Sequence, residues 1–124
     1  MAVTLADLYQ KTGFKLGIIG ANETPSAEDG VLLAGAYAGL HDQLLSEGLV
    51  TWSATENIPN WAAPIMVAML ASLLVDEFGL ADPRRSMLLL EGALGNAPVS
   101  PAERRLRRQL ALPYVEHPVY VENF

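Results

Sequence analysis

The chain offers few residues with the type and spacing for covalent chemistry. Its two histidines, His41 and His117, stand 76 positions apart, and neither shares a metal-binding spacing with another histidine. His41 beside Asp42 reads as a pair on a helix surface. No serine sits in a nucleophile elbow, and with no cysteine there is neither a thiolate ligand nor a disulfide framework. Two carboxylate pairs, Glu28-Asp29 and Asp76-Glu77, could in principle divide acid and base roles in glycan cleavage. Sequence neighbours on a helix point in different directions, however, and both pairs are explained by helix ends. A Gly17 to Gly20 turn could cradle phosphate, but no strand precedes it and no lysine follows its second glycine, so it reads as a connector. These absences predict a protein that is not an enzyme and carries no cofactor and no metal.

What remains are residues suited to contact. Arg104, Arg105, Arg107 and Arg108 crowd around Leu106 and Leu110, which reads as a solvated basic face or as a basic surface for an acidic partner or a phosphate backbone. No aromatic residue is interleaved to stack bases. Beyond them, residues 112–124 contain two prolines, with Tyr114, Tyr120 and Phe124 on one parity and Val115, Val119 and Val121 on the other. This predicts an extended arm with two apolar sides, able to span some 40 Å at about 3.3 Å per residue and suited to strand addition on another chain. A third candidate is the loop from Leu49 to Ile58, where Val50, Trp52, Glu56 and Ile58 are placed for contacts with other subunits.

The elements that must position these residues are helical. Half of the 124 residues are hydrophobic, rich in Ala and Leu, which predicts one all-α domain over residues 1–111 followed by the arm over 112–124. Its axis is Trp61 to Val75, fifteen residues without a charge, too short for a bilayer span of about 20 and followed at once by Asp76 and Glu77. Around this buried central helix the caps define the rest of a bundle of four to five helices. Thr4-Leu-Ala-Asp7 opens a helix over 5–16, and Ser26-Ala-Glu-Asp29 opens a long one over 27–47 closed by Gly48. Asp82-Pro83 starts a helix reaching Gly95, and Ser100-Pro-Ala-Glu103 starts a last one to Ala111. Leu33, Tyr37, Leu40 and Leu44 form the buried stripe of the long helix, widened by Ala36 and Leu45. Gly35 and Gly39 lie on another side, where they suit tight packing inside the monomer or a subunit contact.

Charge is divided along the chain. Residues 1–83 hold ten acids and two lysines, whereas residues 84–124 hold six arginines and four acids. An acidic body argues against general nucleic-acid binding and lets two copies meet acidic face to basic face. The N-terminus shows no basic region ahead of a continuous apolar run, so the expectation is synthesis and retention in a cytoplasm.

The order of signals resembles a known family. A capped first helix, Lys-Leu-Gly-Ile-Ile-Gly at 15–20, Glu-Thr-Pro-Ser-Ala-Glu-Asp at 23–29, and a long helix ending in Glu47-Gly48-Leu49 come first. Trp52 and Ile58-Pro59 then precede an Ala-rich helix closing on Phe78-Gly79. This is similar to the head-to-tail adaptors of tailed bacteriophages, which include the tail accessory factors or packaged-DNA stabilisation proteins. The resemblance covers residues 4–79, and the compact basic region after Pro83 departs from the short-tailed members. It implies a virion protein made in the host cytoplasm and assembled as a ring, commonly of twelve copies, beneath the portal protein. Its C-terminal segment would reach the portal, the ring would meet the next tail or head-completion protein, and genomic DNA would pass the lumen without specific binding. Two other readings remain: a small cytoplasmic regulator dimerising through Gly35 and Gly39, and a peptidoglycan-acting enzyme built on the carboxylate pairs.

Overall fold

The hydroxyl of Thr4 accepts the amide of Asp7 at 3.1 Å, and the first helix begins there. The structure, a computed structural model, describes residues 2–95 and 98–115, and for 110–115 the backbone alone. After a two-residue strand β1 (Ala2–Val3) comes α1 (Leu5–Leu16), closed by Gly17 in the left-handed region at φ 82°. Ser26 accepts the Asp29 amide at 3.2 Å and opens α2 (Ala27–Ser46). An irregular stretch leads to β2 (Ile58–Pro59), which pairs antiparallel with β1, Ala2 opposite Pro59 and Val3 opposite Ile58.

The central helix α3 (Ala63–Leu74) starts with Pro64 in its first turn, where a missing amide costs no intrahelical bond. It is three turns long, shorter than the apolar run that encodes it, because turns take up both ends. Every residue of α3 except Pro64 and Leu73 is buried. α4 (Arg84–Gly92) follows, and although Pro83 rather than Asp82 is its cap, the Asp82 carboxylate still accepts the Ser86 amide at 3.2 Å. α5 (Pro101–Val115) begins at Ser100, whose hydroxyl accepts the Glu103 amide at 3.3 Å.

All four other helices pack on α3, so the all-α bundle around a buried central helix is the observed architecture, with the short β1–β2 ribbon its one addition among the described residues. Burying side chains such as Leu8, Met66, Leu70 and Leu106 contributes about 1.5–3 kcal/mol each. α4 crosses close to α3 at Gly92, where an added Cβ would overlap the carbonyl oxygen of Ala68. A side chain there would push α4 off α3.

Three expectations are corrected. Leu45 does not widen the buried stripe of α2: it is 53% exposed, one position and about 100° beyond Leu44. Gly35 and Gly39 do not receive a helix among the described residues, since a Cβ at either would meet nothing of these within 4 Å. The last helix does not end at Ala111, because its backbone stays helical through Pro113 to Val115. Proline's fixed φ is itself helical and near a helix end it forfeits a single amide bond, so Pro113 need not release the chain into an arm. Residues 116–124, with His117, Val119, Tyr120, Val121 and Phe124, lie outside the described residues.

Candidate functional site

The loop residues expected to make outside contacts instead close the core. Val50, Trp52 and Ile58 are buried, leaving Glu56 as the exposed member of that set. An aromatic chain accounts for Trp52. Ring centroids run from Tyr9 to Tyr37 at 6.4 Å, Tyr37 to His41 at 6.1 Å, His41 to Trp52 at 6.5 Å and Trp52 to Trp61 at 6.1 Å. Three of the four contacts are edge-on, the arrangement ring quadrupoles favour. Polar atoms within the chain satisfy one another: the indole N–H of Trp52 donates to the Tyr37 hydroxyl at 3.0 Å, and His41 Nε2–H donates to the Trp52 carbonyl at 2.6 Å. His41 is therefore a buried strut and not a surface partner of Asp42. Burial pushes the Tyr37 phenol above its ordinary pKa, with the Trp52 hydrogen bond opposing.

The four arginines are all exposed on α5, but they are not equivalent. Arg107 Nε donates to Glu103 at 2.9 Å and its Nη2 donates to Glu47 at 3.0 Å, tying α5 to the end of α2. The Glu103 hydrogen bond, with help from Glu47, raises the guanidinium above its ordinary pKa. Glu103 is buried and also accepts the Gly95 amide at 2.9 Å, so Arg107 belongs to a structural clamp. Arg104, although exposed, donates to the Val99 carbonyl at 3.2 Å, and Arg105 and Arg108 are exposed as well. Of the portal-arm residues, Tyr114 and Val115 lie on the helical backbone of α5.

Three concave regions among the described residues bear on contacts with a partner. A cleft of about 420 Å³ lies between α1, the start of α3 and α5, and Lys11, Lys15, Arg105 and Glu91 are its charged lining residues. Lys11 and Lys15 are one helical turn apart on α1, and Lys15 is bridged to Glu91 at 3.0 Å, so the cleft carries two net positive charges. A groove of about 530 Å³ between α2 and residues 51–56 is lined by Ala38, His41, Asp42, Leu45 and Glu56, among others. Its carboxylates give it the opposite sign, and Glu56 is held by accepting the Ser53 amide at 2.8 Å. A third, more apolar hollow of about 800 Å³ lies along α4, where Met87 and Leu90 are 66% and 75% exposed.

No family model matches the chain, and neither a curated protein nor a solved structure matches it. Among the described residues no group of three or more His, Asp or Glu side chains is placed to hold a metal ion. No described helix is long and apolar enough to cross a membrane. Of the carboxylate pairs, Asp76 is engaged by Arg85 Nε at 2.8 Å, and that hydrogen bond holds its carboxyl below the usual range. A general acid needs the reverse shift.

The aromatic chain and the basic cleft were both missed by reading motifs. Lys11 and Lys15 are the only lysines of the chain and stand four apart on a capped helix, a spacing that already places them on one face. Nothing local marks Trp52 as core, because its partners lie on α2 and in the turn ahead of α3.

Proposed function

We propose that this chain is a structural connector subunit that assembles into a ring beneath a phage portal, closing the packaged head and joining it to the tail. The observation that carries the proposal is the separation of charge onto unlike surfaces, basic between α1 and α5 and acidic along α2 and residues 51–56. Rings are built from heterologous contacts in which one face of a subunit meets a different face of the next, and unlike charge orients such contacts. The ordered caps and turns of residues 4–79, which carry the resemblance to head-to-tail adaptors, support the same reading. In this reading the chain is a non-enzymatic virion protein, residues after α5 contact the portal, and the ring presents a platform to the next tail or head-completion protein. DNA passes an acidic lumen that repels its phosphates.

The test is the mass of the purified chain alone and after mixing with a portal ring. A connector joins the portal as a ring of many copies, and removal of residues 116–124 abolishes that joining while the bundle stays folded. A dimer whose mass a portal leaves unchanged would overturn the proposal in favour of a regulator. One observation favours that second reading: Gly35 and Gly39 present bare backbone to open space on the outer side of α2.

A further inference from the structure

We infer that the basic cleft between α1, α3 and α5 receives the acidic groove of a second copy of this chain, with Lys11, Lys15 and Arg105 facing Asp42 and Glu56. Three observations converge on a second copy as the occupant. The signs are complementary: the cleft has three cations against Glu91, whereas the groove has Asp42 and Glu56 and no lysine or arginine in its lining. Their charges are also available. Lys11, Arg105, Asp42 and Glu56 are all exposed, and among the described residues none of the four takes part in an ion pair.

The groove is bordered, finally, by an apolar strip that no described residue covers. Val31, Gly35, Ala38 and Leu45 are exposed along one side of α2 with Asp42 among them, Val31 at 71%. Spacings of four, three, four and three residues keep these positions on one helix face. Apolar contact supplies association energy while the charges fix orientation and register, a division common to specific interfaces. Cleft and groove share no residue, so each subunit offers one surface to each of two neighbours. The contact is therefore heterologous and propagates from copy to copy. It rests on the connector reading only for closure of that series into a ring.

The chain has two lysines, both lining the cleft, so zero-length carbodiimide coupling has only these side-chain amines to join to carboxylates. Isotopically light and heavy chains are mixed, coupled and mapped by mass spectrometry. The expected product is a light-heavy amide between Lys11 or Lys15 and Asp42 or Glu56. Intermolecular amides at other carboxylates only, or none at the highest soluble concentration, overturn the inference.

Charge reversal supplies the second measurement. Lys11→Glu/Arg105→Glu and Asp42→Lys/Glu56→Lys should each weaken self-association about tenfold or more by light scattering. An equimolar mixture of the two should recover it, and so should the chain carrying all four substitutions, which also shows that the variants fold. Failure of both to recover overturns the pairing. Saturable binding of duplex DNA lost in Lys11→Glu/Arg105→Glu would assign the cleft to phosphate instead, also overturning it. If the amide forms but the chain ignores a portal ring, the contact stands and the connector reading fails. Attachment to the portal without that amide gives the reverse.

Discussion

The Trp52 indole donates to the Tyr37 hydroxyl at 3.0 Å across fifteen residues of chain, joining the loop after α2 to the middle of that helix inside the core. Because both groups are buried, removing one partner strands the other. Tyr37→Phe should cost about 1–3 kcal/mol in denaturant unfolding, as an unsatisfied buried donor does. Trp52→Phe should cost more, because it also leaves a void beside His41 and Trp61. The double variant should fall short of the sum of the two.

The same burial gives an alkaline signature. Desolvation raises the phenols of Tyr9 and Tyr37 above their ordinary value of 10.0. A raised folded-state pKa contributes stability that is fully present below the unfolded value and is lost as pH rises through the folded one. An ultraviolet titration of the phenolates should show Tyr9 and Tyr37 ionising late, and Tyr37→Phe should delete one late step. Ionisation of Tyr37 at the ordinary pH would contradict the buried placement.

At acid pH the relevant pair is Asp76 and Arg85, at 2.8 Å. The hydrogen bond from Arg85 and its charge lower the carboxyl below its ordinary value of 3.8. A lowered folded-state pKa contributes stability above the unfolded value and loses it as pH falls through the folded one. Asp76→Asn should therefore be slightly less stable at neutral pH and converge with the parent chain below pH 3.8. Since the pair is solvent-exposed, the neutral-pH difference should shrink in high salt.

How much of this was legible in the sequence depended on whether the deciding contact was local. Thr4, Ser26 and Ser100 each cap a helix through an amide three residues on, so the starts of α1, α2 and α5 could be read directly. The charge-free run that becomes α3 needed only its own composition. Trp52 and His41 could not be placed the same way, because a tryptophan in an irregular polar stretch reads as surface until Tyr37 and Trp61 are brought to it by folding. Arg107 looked like one of four equivalent cations, and its bonds to Glu103, four residues back, and to Glu47, sixty residues away, make it different. The mistaken end of the last helix came from treating Pro113 as a barrier to helix rather than as the loss of one bond.

The clamp at Arg107 makes its own prediction. Arg107→Met takes the guanidinium from both of its partners and leaves the Glu103 carboxylate buried with the Gly95 amide. Loss of about 1–3 kcal/mol is expected, discounted for the half-exposed arginine. Glu47→Gln, which breaks only the exposed arm of the clamp, should cost less than about 1 kcal/mol. Equal losses from the two variants would mean that Glu103 is not the anchoring carboxylate.

Glycine to alanine substitutions separate the inner surface of the bundle from its outer one. At Gly92 a Cβ would overlap the Ala68 carbonyl, and backbone cannot yield as a flexible side chain can. Gly92→Ala should destabilise by about 1–3 kcal/mol or more as α4 is driven off α3. At Gly35 and Gly39 the same change meets nothing, and alanine is the better helix former, so each should raise monomer stability by about 0.5–1 kcal/mol. If the outer face of α2 meets a second copy, however, those methyl groups occupy the interface. Gly35→Ala/Gly39→Ala should then unfold at higher denaturant concentration yet self-associate more weakly than the parent chain. Opposite movements of stability and assembly are the decisive result, since a surface that merely faces water would gain stability and leave self-association unchanged.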